Sequence, residues 1–290
     1  MTILVTGKNG QLGSELQALA KAFPKYQFLF TDKESLDVTK EKAVEDFFRT
    51  HNFDALINCA AYTDVDKAEA EPELANAVNH LALGYLAKAC KEHQVKLIHI
   101  STDYVFDGTA TTPYLETDST NPQSVYGQSK LDGELLMKLV NPAHSIIIRT
   151  SWLYSVYGSN FVKTMMGYGK EKDVLHVVND QLGSPTYAAD LAKAIVDILP
   201  QLNTSVVETY HYANTGSCTW YEFAHTIFEM KAVDGEVKPI PTSEYPTPAQ
   251  RPQYSVLNTN KIQSVFNIKI PPWTQSLKHS LDSFTETTGS

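Results

Sequence analysis

The sequence predicts an α/β fold, a doubly wound parallel sheet with a smaller C-terminal lobe. Three features predict it. Short apolar runs alternate with helical patterns through residues 1–150, a glycine-rich turn joins the first run to the first helix, and the alternation loosens after Thr150.

The elements follow in order. Ile3-Leu4-Val5 is a short, wholly apolar run of the kind that fills a strand buried on both faces. Gln11 to Ala22 has helical spacing, and Tyr26 to Thr31 is a second strand. Lys40 to His51 carries Val44, Phe47 and Phe48 on one helical face. Ala55 to Ile57 is a third strand and Glu73 to His93 a long helix rich in Ala and Leu. Lys96 to Ser101, Ser124 to Leu139 and Ser145 to Ile148 complete a strand–helix–strand run. Beyond Thr150, helices are expected at Asn160 to Gly169, Ala188 to Leu199, Trp220 to Glu229 and Gln275 to Phe284. Strands are expected near Val174 to Val177 and His211 to Ala213. Lys238 to Gln253 holds five prolines and reads as irregular surface backbone, and Thr285 to Ser290 as a frayed end.

A chain of 290 residues with 42 % apolar and 20 % charged side chains can bury a sizeable core, which excludes general disorder. The net charge of -9 argues against a nucleic-acid surface. No apolar run approaches the ~18 residues of a membrane helix, and the chain starts as a strand without a basic leader, so a cytoplasmic address is expected. Cys59, Cys90 and Cys218 show no paired or metal-like spacing and read as free thiols in a reducing compartment. Arg49, Arg149 and Arg251 are the only arginines, so a phosphate-bearing ligand has few guanidinium partners to choose from.

The turn after the first strand reads Gly7-Lys8-Asn9-Gly10-Gln11-Leu12-Gly13. Glycines at this spacing permit a tight turn and close approach of a pyrophosphate, and the helix that follows offers free N–H groups and a partial positive charge. This strand–turn–helix context marks a Rossmann-like dinucleotide cradle. Asp32 closes the second strand, where an acidic side chain can bond an adenosine ribose, and Lys33 can soften discrimination against a 2′-phosphate. The small residues of Asn58-Cys59-Ala60-Ala61-Tyr62 would let a dinucleotide lie against the sheet edge, or simply let a helix pack there.

Tyr126 and Lys130 lie one turn apart on a helix, so both face the same way. The fourth strand ends in Ser101-Thr102-Asp103, placing a hydroxyl at the carboxyl edge of the sheet, where open α/β sheets bind ligands. Hydride reduction of a ketone leaves negative charge on its oxygen. A phenol can supply the proton, a nearby ammonium would lower the phenol's ordinary pKa of about 10, and Thr102 can donate a hydrogen bond to the same oxygen.

With these motifs in place, the chain resembles the extended short-chain dehydrogenases and, among them, the dTDP-4-dehydrorhamnose reductase family. The matching stretches are GKNGQLG (7–13), NCAAYTDVDKAE (58–69), STDYVFDG (101–108), YGQSK (126–130), RTSWLY (149–154), NF (160–161), NDQLGSPT (179–186) and RPQYSVL (251–257). The resemblance implies reduction of a nucleotide-linked sugar ketone by NADPH or NADH, with residues 1–150 as the cofactor domain. Residues 151–290 would then form mainly the substrate-binding lobe, with some segments returning to the first domain. It implies catalysis by Thr102, Tyr126 and Lys130. Gly7, Gly10, Gln11, Leu12, Gly13, Asp32, Asp37, Val38, Ala60, Ala61, Tyr62 and Thr63 would line the cofactor, together with Tyr126 and Lys130. Thr102, Asp103, Trp152, Asn160, Gln181 and Arg251 would meet the nucleotide sugar. Each of the last four has a plainer reading: Trp152 as a core aromatic, Asn160 as a helix cap, Gln181 as a turn residue and Arg251 as a solvated loop charge.

Some members of the family use acidic residues for a magnesium-linked dimer. Glu15 matches the first such position, but the second falls on Ala189 with Asp190 one residue beyond. The metal is therefore not carried over, and a monomer or weak homodimer is expected. The family also resembles a regulatory subunit, the β subunit of methionine adenosyltransferase, which keeps the fold without the chemistry; the intact Thr102, Tyr126 and Lys130 favour an enzyme. An epimerase or dehydratase would use the same Tyr and Lys, but Ser101-Thr102-Asp103-Tyr104 lacks the Asp-Glu pair that dehydratases carry directly after the threonine.

Overall fold

The computed structural model describes residues 1–171 and 173–287. Strands β1 (Thr2–Thr6), β2 (Gln27–Phe30), β3 (Ala55–Asn58), β4 (Lys96–Thr102) and β5 (Ile146–Thr150) alternate with helices α1 (Gln11–Ala20), α2 (Glu41–Thr50), α3 (Ala82–Glu92) and α4 (Val125–Val140). The second half contributes α5 (Phe161–Glu171), β6 (Val174–Val178), α6 (Ala188–Ile198), β7 (Glu208–His211), α7 (Trp220–Lys231), β8 (Glu236–Ile240), α8 (Asn260–Phe266) and α9 (Trp273–Thr287), besides shorter pieces.

Six strands pair in the order β7-β5-β4-β3-β1-β2, every neighbour parallel. The order reverses beside β1, so the carboxyl ends of β1, β3 and β4 open on one crevice. Both faces are covered, which is why the central strands are almost uninterrupted apolar runs. Leu12, Leu16, Leu191, Ile195 and Ile262, from α1, α6 and α8, pack on one face; Val44, Phe48, Leu83, Leu86 and Met137, from α2, α3 and α4, pack on the other. A separate core joins Val162 and Met165 of α5 to Phe223 and Ile227 of α7 and Leu277 and Leu281 of α9.

Three expectations need correction. The sixth strand, expected near His211 to Ala213, runs from Glu208 to His211 and docks on β5 from the far half of the chain. The long helix from Glu73 to His93 is a short helix, Pro72–Asn76, a π turn, Ala77–Leu81, and α3; the wider turn leaves no mark in apolar spacing. The proline-rich segment is not irregular at its start. β8 pairs with β6, with Pro239 opposite Val177, in a two-stranded sheet where an edge proline costs no ladder bond. Helix α9 runs through Thr287, into the stretch expected to fray, and residues 288–290 lie outside the described residues. Among the described residues no helix is long and apolar enough to cross a membrane. All three cysteines are free, Cys59 half-buried and Cys90 and Cys218 buried.

Candidate active site

The glycine turn is built by close packing. Gly7 has φ +70, and a Cβ there would lie 2.7 Å from the backbone of Cys59 and Ala60; one on Gly13 would lie 2.3 Å from the Gly7 carbonyl oxygen. Both positions therefore exclude a side chain. Gly10 differs: a Cβ would meet only the Gly7 oxygen, at 3.4 Å, so its outer side is open. Gly10 is also the N-cap of α1, and no side chain bonds the free N–H groups of the first turn. This is the cradle that a pyrophosphate fits. Leu12 and Val38 are buried in the two cores, so what they can offer is backbone. Gln11 donates to the Leu153 carbonyl at 3.4 Å and accepts from Asn160 at 3.0 Å.

At the end of β2, Asp32 accepts from the Ser35 hydroxyl at 2.7 Å and pairs with Lys8 Nζ at 2.9 Å. Hydrogen bonds from Lys8 and Ser35 hold its carboxyl well below the usual range. The cation on Asp32 is thus Lys8 of the glycine turn, not Lys33 next door. Asp37 folds onto Thr39, accepting from its hydroxyl at 2.6 Å and its N–H at 3.1 Å. The segment Ala60 to Thr63 lies at the end of β3, fixed by Asn79, which accepts from Tyr62 N–H at 2.9 Å and donates to its carbonyl at 3.0 Å; the Tyr62 phenol donates to Glu71 at 2.8 Å.

Thr102 ends β4 and Tyr126 opens α4, whose N-cap Ser124 accepts from Gly127 N–H at 3.1 Å. A Cβ on Gly127 would fall 2.2 Å from the Tyr104 carbonyl oxygen, so the glycine lets α4 press its Tyr126 turn against the loop after β4. Thr102 donates its hydroxyl to Asp103 Oδ1 at 3.0 Å and accepts from Tyr104 N–H at 3.2 Å. Its proton is therefore engaged, and reaches a substrate oxygen only after the hydroxyl rotates. Asp103 is 3 % exposed, and burial pushes its carboxyl up to about 6, against the Thr102 and Ser255 hydroxyls.

The expected lowering of the tyrosine by its lysine is not present in this arrangement. Burial pushes Tyr126 up to about 12, with Thr102 pulling the other way. Lys130 instead donates to the Ile100 carbonyl at 2.6 Å and faces His99 Nε2 at 3.2 Å. Burial brings Lys130 down to about 8. The physical reason is burial, the largest influence on the phenol, while the Lys130 ammonium is bonded to the Ile100 carbonyl on β4. Protonated at neutral pH, Tyr126 remains an acid.

The other expected substrate contacts are placed as follows. Trp152, at φ +47, stacks on Trp220 with ring centres 3.5 Å apart and planes 9° apart. Asn160 does cap α5, accepting from Lys163 N–H at 3.1 Å, while its amide nitrogen ties Gln11 to the second half of the chain. Gln181 is buried and donates to Thr242 at 3.0 Å. Arg251 is not a solvated loop charge: it pairs with Asp66 at 2.6 Å and lies beside Tyr104. Arg149, by contrast, is buried and turns its Nε and Nη2 to Glu134 inside the protein. Lys8, Asp66, Asn79 and His99 are polar groups of the site that motif spacing alone does not pick out. His99 left a trace, as the one polar interruption inside the apolar run of β4.

A family model described as RmlD substrate binding domain matches residues 1–286. The chain belongs to this family. The chain is similar to the dTDP-4-dehydrorhamnose reductase of Salmonella typhimurium, 42% identical over 299 aligned residues covering 99% of this chain and 100% of that protein. Among solved structures, a dTDP-4-dehydrorhamnose reductase of Clostridium acetobutylicum superposes with TM-score 0.93 at 43% identity, covering 98% of this chain and 100% of the other. That of Bacillus anthracis, solved in complex with NADP, gives 0.91 at 40% identity, covering 97% and 99%.

Proposed function

We propose that this RmlD-family chain is a dTDP-4-dehydrorhamnose reductase, which reduces the C4 ketone of dTDP-4-dehydro-β-L-rhamnose to dTDP-L-rhamnose with NADPH or NADH. One observation carries the reading. A protonated phenol, Tyr126, lies with Thr102 and Asp103 at the carboxyl edge of the sheet, beside a glycine turn that excludes side chains at Gly7 and Gly13 and opens at Gly10.

When bound, the reduced nicotinamide cofactor supplies the hydride. The α1 N-terminus and the Gly10 turn would hold its pyrophosphate, Asp32 and Lys8 its adenosine end, and the Ala60 to Thr63 segment would border it. The chain does the rest. Tyr126 gives its proton to the developing alkoxide. Thr102, once its hydroxyl turns from Asp103, holds the same oxygen, and Asp103 can then accept from a sugar hydroxyl. A regulatory subunit would not need this acid, and the named relatives favour the reductase over both a regulatory subunit and an epimerase. Reaction with the dTDP-linked 4-ketosugar should yield a sugar nucleotide in which the ketone has become an alcohol; recovery of an unreduced epimer instead would point to the other chemistry.

Arg251 is proposed to meet the diphosphate, exchanging Asp66 for a phosphate partner or sharing itself between them. Hydrogen bonds to charged groups contribute roughly 1.5–3 kcal/mol, so Arg251→Ala should raise the sugar nucleotide KM roughly 10- to 100-fold with cofactor KM nearly unchanged. An unchanged substrate KM would confine Arg251 to its pairing with Asp66.

Asp32 and Lys8 together set the cofactor preference. The carboxylate suits a ribose hydroxyl, and the adjacent ammonium suits a 2′-phosphate, so both cofactors are expected to work. Asp32→Ala frees Lys8 and should raise the NADPH-to-NADH ratio of kcat/KM several-fold; Lys8→Ala should lower it. A ratio that moves the opposite way would assign the pair to another task.

Among the described residues no group of three or more His, Cys, Asp or Glu is arranged to hold a metal. Glu15 is buried and accepts from Ser155 at 2.6 Å, and Asp190 accepts from Asn214 at 2.8 Å. With these carboxylates engaged internally, we propose a monomer or weak homodimer that does not rely on a magnesium bridge.

A further inference from the structure

Lys130 ends a chain of buried polar groups that crosses the sheet edge. Thr6 donates to Asn58 Oδ1 at 2.6 Å, and Ala60 N–H donates to the same oxygen at 3.2 Å. Asn58 Nδ2 lies 3.0 Å from His99 Nδ1, and His99 Nε2 lies 3.2 Å from Lys130 Nζ. Thr6, Asn58, His99 and Lys130 are each at most 3 % exposed. Buried polar groups are costly unless satisfied, so a fully connected row of four is a specific feature of the fold.

The donors fix the direction of the row. A backbone N–H can only donate, so Asn58 Oδ1 is the oxygen and its NH2 faces His99. His99 Nδ1 must then accept. Burial and the neighbouring Lys130 push the imidazole well below its ordinary range, so it is neutral. A neutral imidazole that accepts at Nδ1 carries its proton on Nε2. That N–H points at Lys130. It can bond a neutral amine, whose lone pair accepts, but it opposes an ammonium, which has none.

We infer that His99, held in one tautomer by Asn58 and Thr6, is a positioning residue that favours the neutral form of Lys130 and so makes its proton easy to release. The inference rests on the reductase reading. After Tyr126 has protonated the substrate oxygen it is a phenolate. A proton from the Lys130 ammonium restores the phenol: an N–H bond breaks, an O–H bond forms, and the electron pair stays on Nζ, where His99 Nε2–H donates to it. Solvent later returns the proton to the amine. The other groups facing Lys130 do not replace this control. On the β3 side Cys59 is a neutral thiol, pushed up to about 12 by burial; on β4 there is the Ile100 carbonyl besides His99; on α4 there are Tyr126 and Glu134, the latter committed to Arg149.

Asn58→Asp tests the tautomer. A carboxylate at 58 can only accept, which turns His99 so that Nδ1 carries the proton and Nε2 accepts from the ammonium. Lys130 should then hold its proton at least one pH unit higher, a tenfold change in affinity. His99→Gln, which can turn a carboxamide oxygen to Nζ, should act in the same direction with little change in shape. The titration is read by NMR of isotope-labelled lysine side chains in the free protein, with Lys130→Met identifying the signal. In the working enzyme, the alkaline limb of kcat should move upward with it, with little change in cofactor KM. An upward move in His99→Gln, which adds no charge, supports the proposal; no move in His99→Gln overturns it, because a move in Asn58→Asp alone is the new carboxylate's own charge acting on Lys130. Because the titration needs no sugar nucleotide, a wild-type protein that fails to reduce the ketosugar overturns the reductase reading instead.

Discussion

Tyr126→Phe is expected to lower kcat for ketosugar reduction by roughly 100- to 10,000-fold, the usual contribution of a positioned general acid, with cofactor affinity nearly unchanged. The substitution removes only the phenolic oxygen. The ring keeps its edge contact with Tyr104, whose centre is 5.6 Å away, and its place among Ala68 and Ala75. Folding should therefore be preserved, and the loss should appear in the chemical step. Burial holds the phenol up at about 12, so the acid is fully protonated across the neutral range. No loss from this tyrosine is expected as pH rises from 6 to 8, and any decline there belongs to another group. The measurement is steady-state kinetics for both substrates beside a cofactor binding titration. A variant with wild-type kcat would remove Tyr126 from the mechanism.

Removing Glu134 is expected to cost about 3–5 kcal/mol of stability, the usual penalty for leaving a buried charge without its partner. Arg149 Nε donates to Glu134 Oε1 at 2.9 Å and Nη2 to Oε2 at 2.6 Å, a two-pronged pair whose side chains are 3 % and 0 % exposed. The guanidinium also lies 5.0 Å from the centre of the Phe106 ring. The pair ties α4 to β5, one helical turn beyond Lys130. Glu134→Ala leaves the guanidinium stranded, whereas Glu134→Leu with Arg149→Met removes both charges at similar volume and should restore much of the loss. Denaturant unfolding of the two proteins separates the cases. A loss below about 1 kcal/mol in Glu134→Ala would mean that Arg149 finds water or another partner.

These two residues show how unevenly the molecule can be read from sequence. Tyr126 stood out because its chemistry needs a lysine one turn away and a hydroxyl on a neighbouring strand, and spacing reveals both. Arg149 looked like one of three possible phosphate ligands, because nothing in RTSWLY says that a glutamate on another element takes both prongs of its guanidinium. The parallel sheet was legible because its strands are buried on both faces and must be apolar throughout. β7 and β8 were misplaced or missed because short strands of the second half carry polar residues and Pro239. The glycine turn was legible down to its N–H groups, but the cation able to soften discrimination against a 2′-phosphate was read as Lys33, whereas the turn itself brings Lys8 to Asp32. Asp66 and Arg251 are far apart in the chain, and only the fold pairs them.

The most direct test of the account is one assay. The purified protein is mixed with dTDP-4-dehydrorhamnose and NADPH or NADH, and the absorbance of the reduced cofactor is followed, with Tyr126→Phe as the control. The account predicts loss of absorbance that depends on the sugar nucleotide, equals the ketone consumed and falls roughly 100-fold or more in the control. A properly folded protein that binds the cofactor but leaves the absorbance unchanged would contradict it.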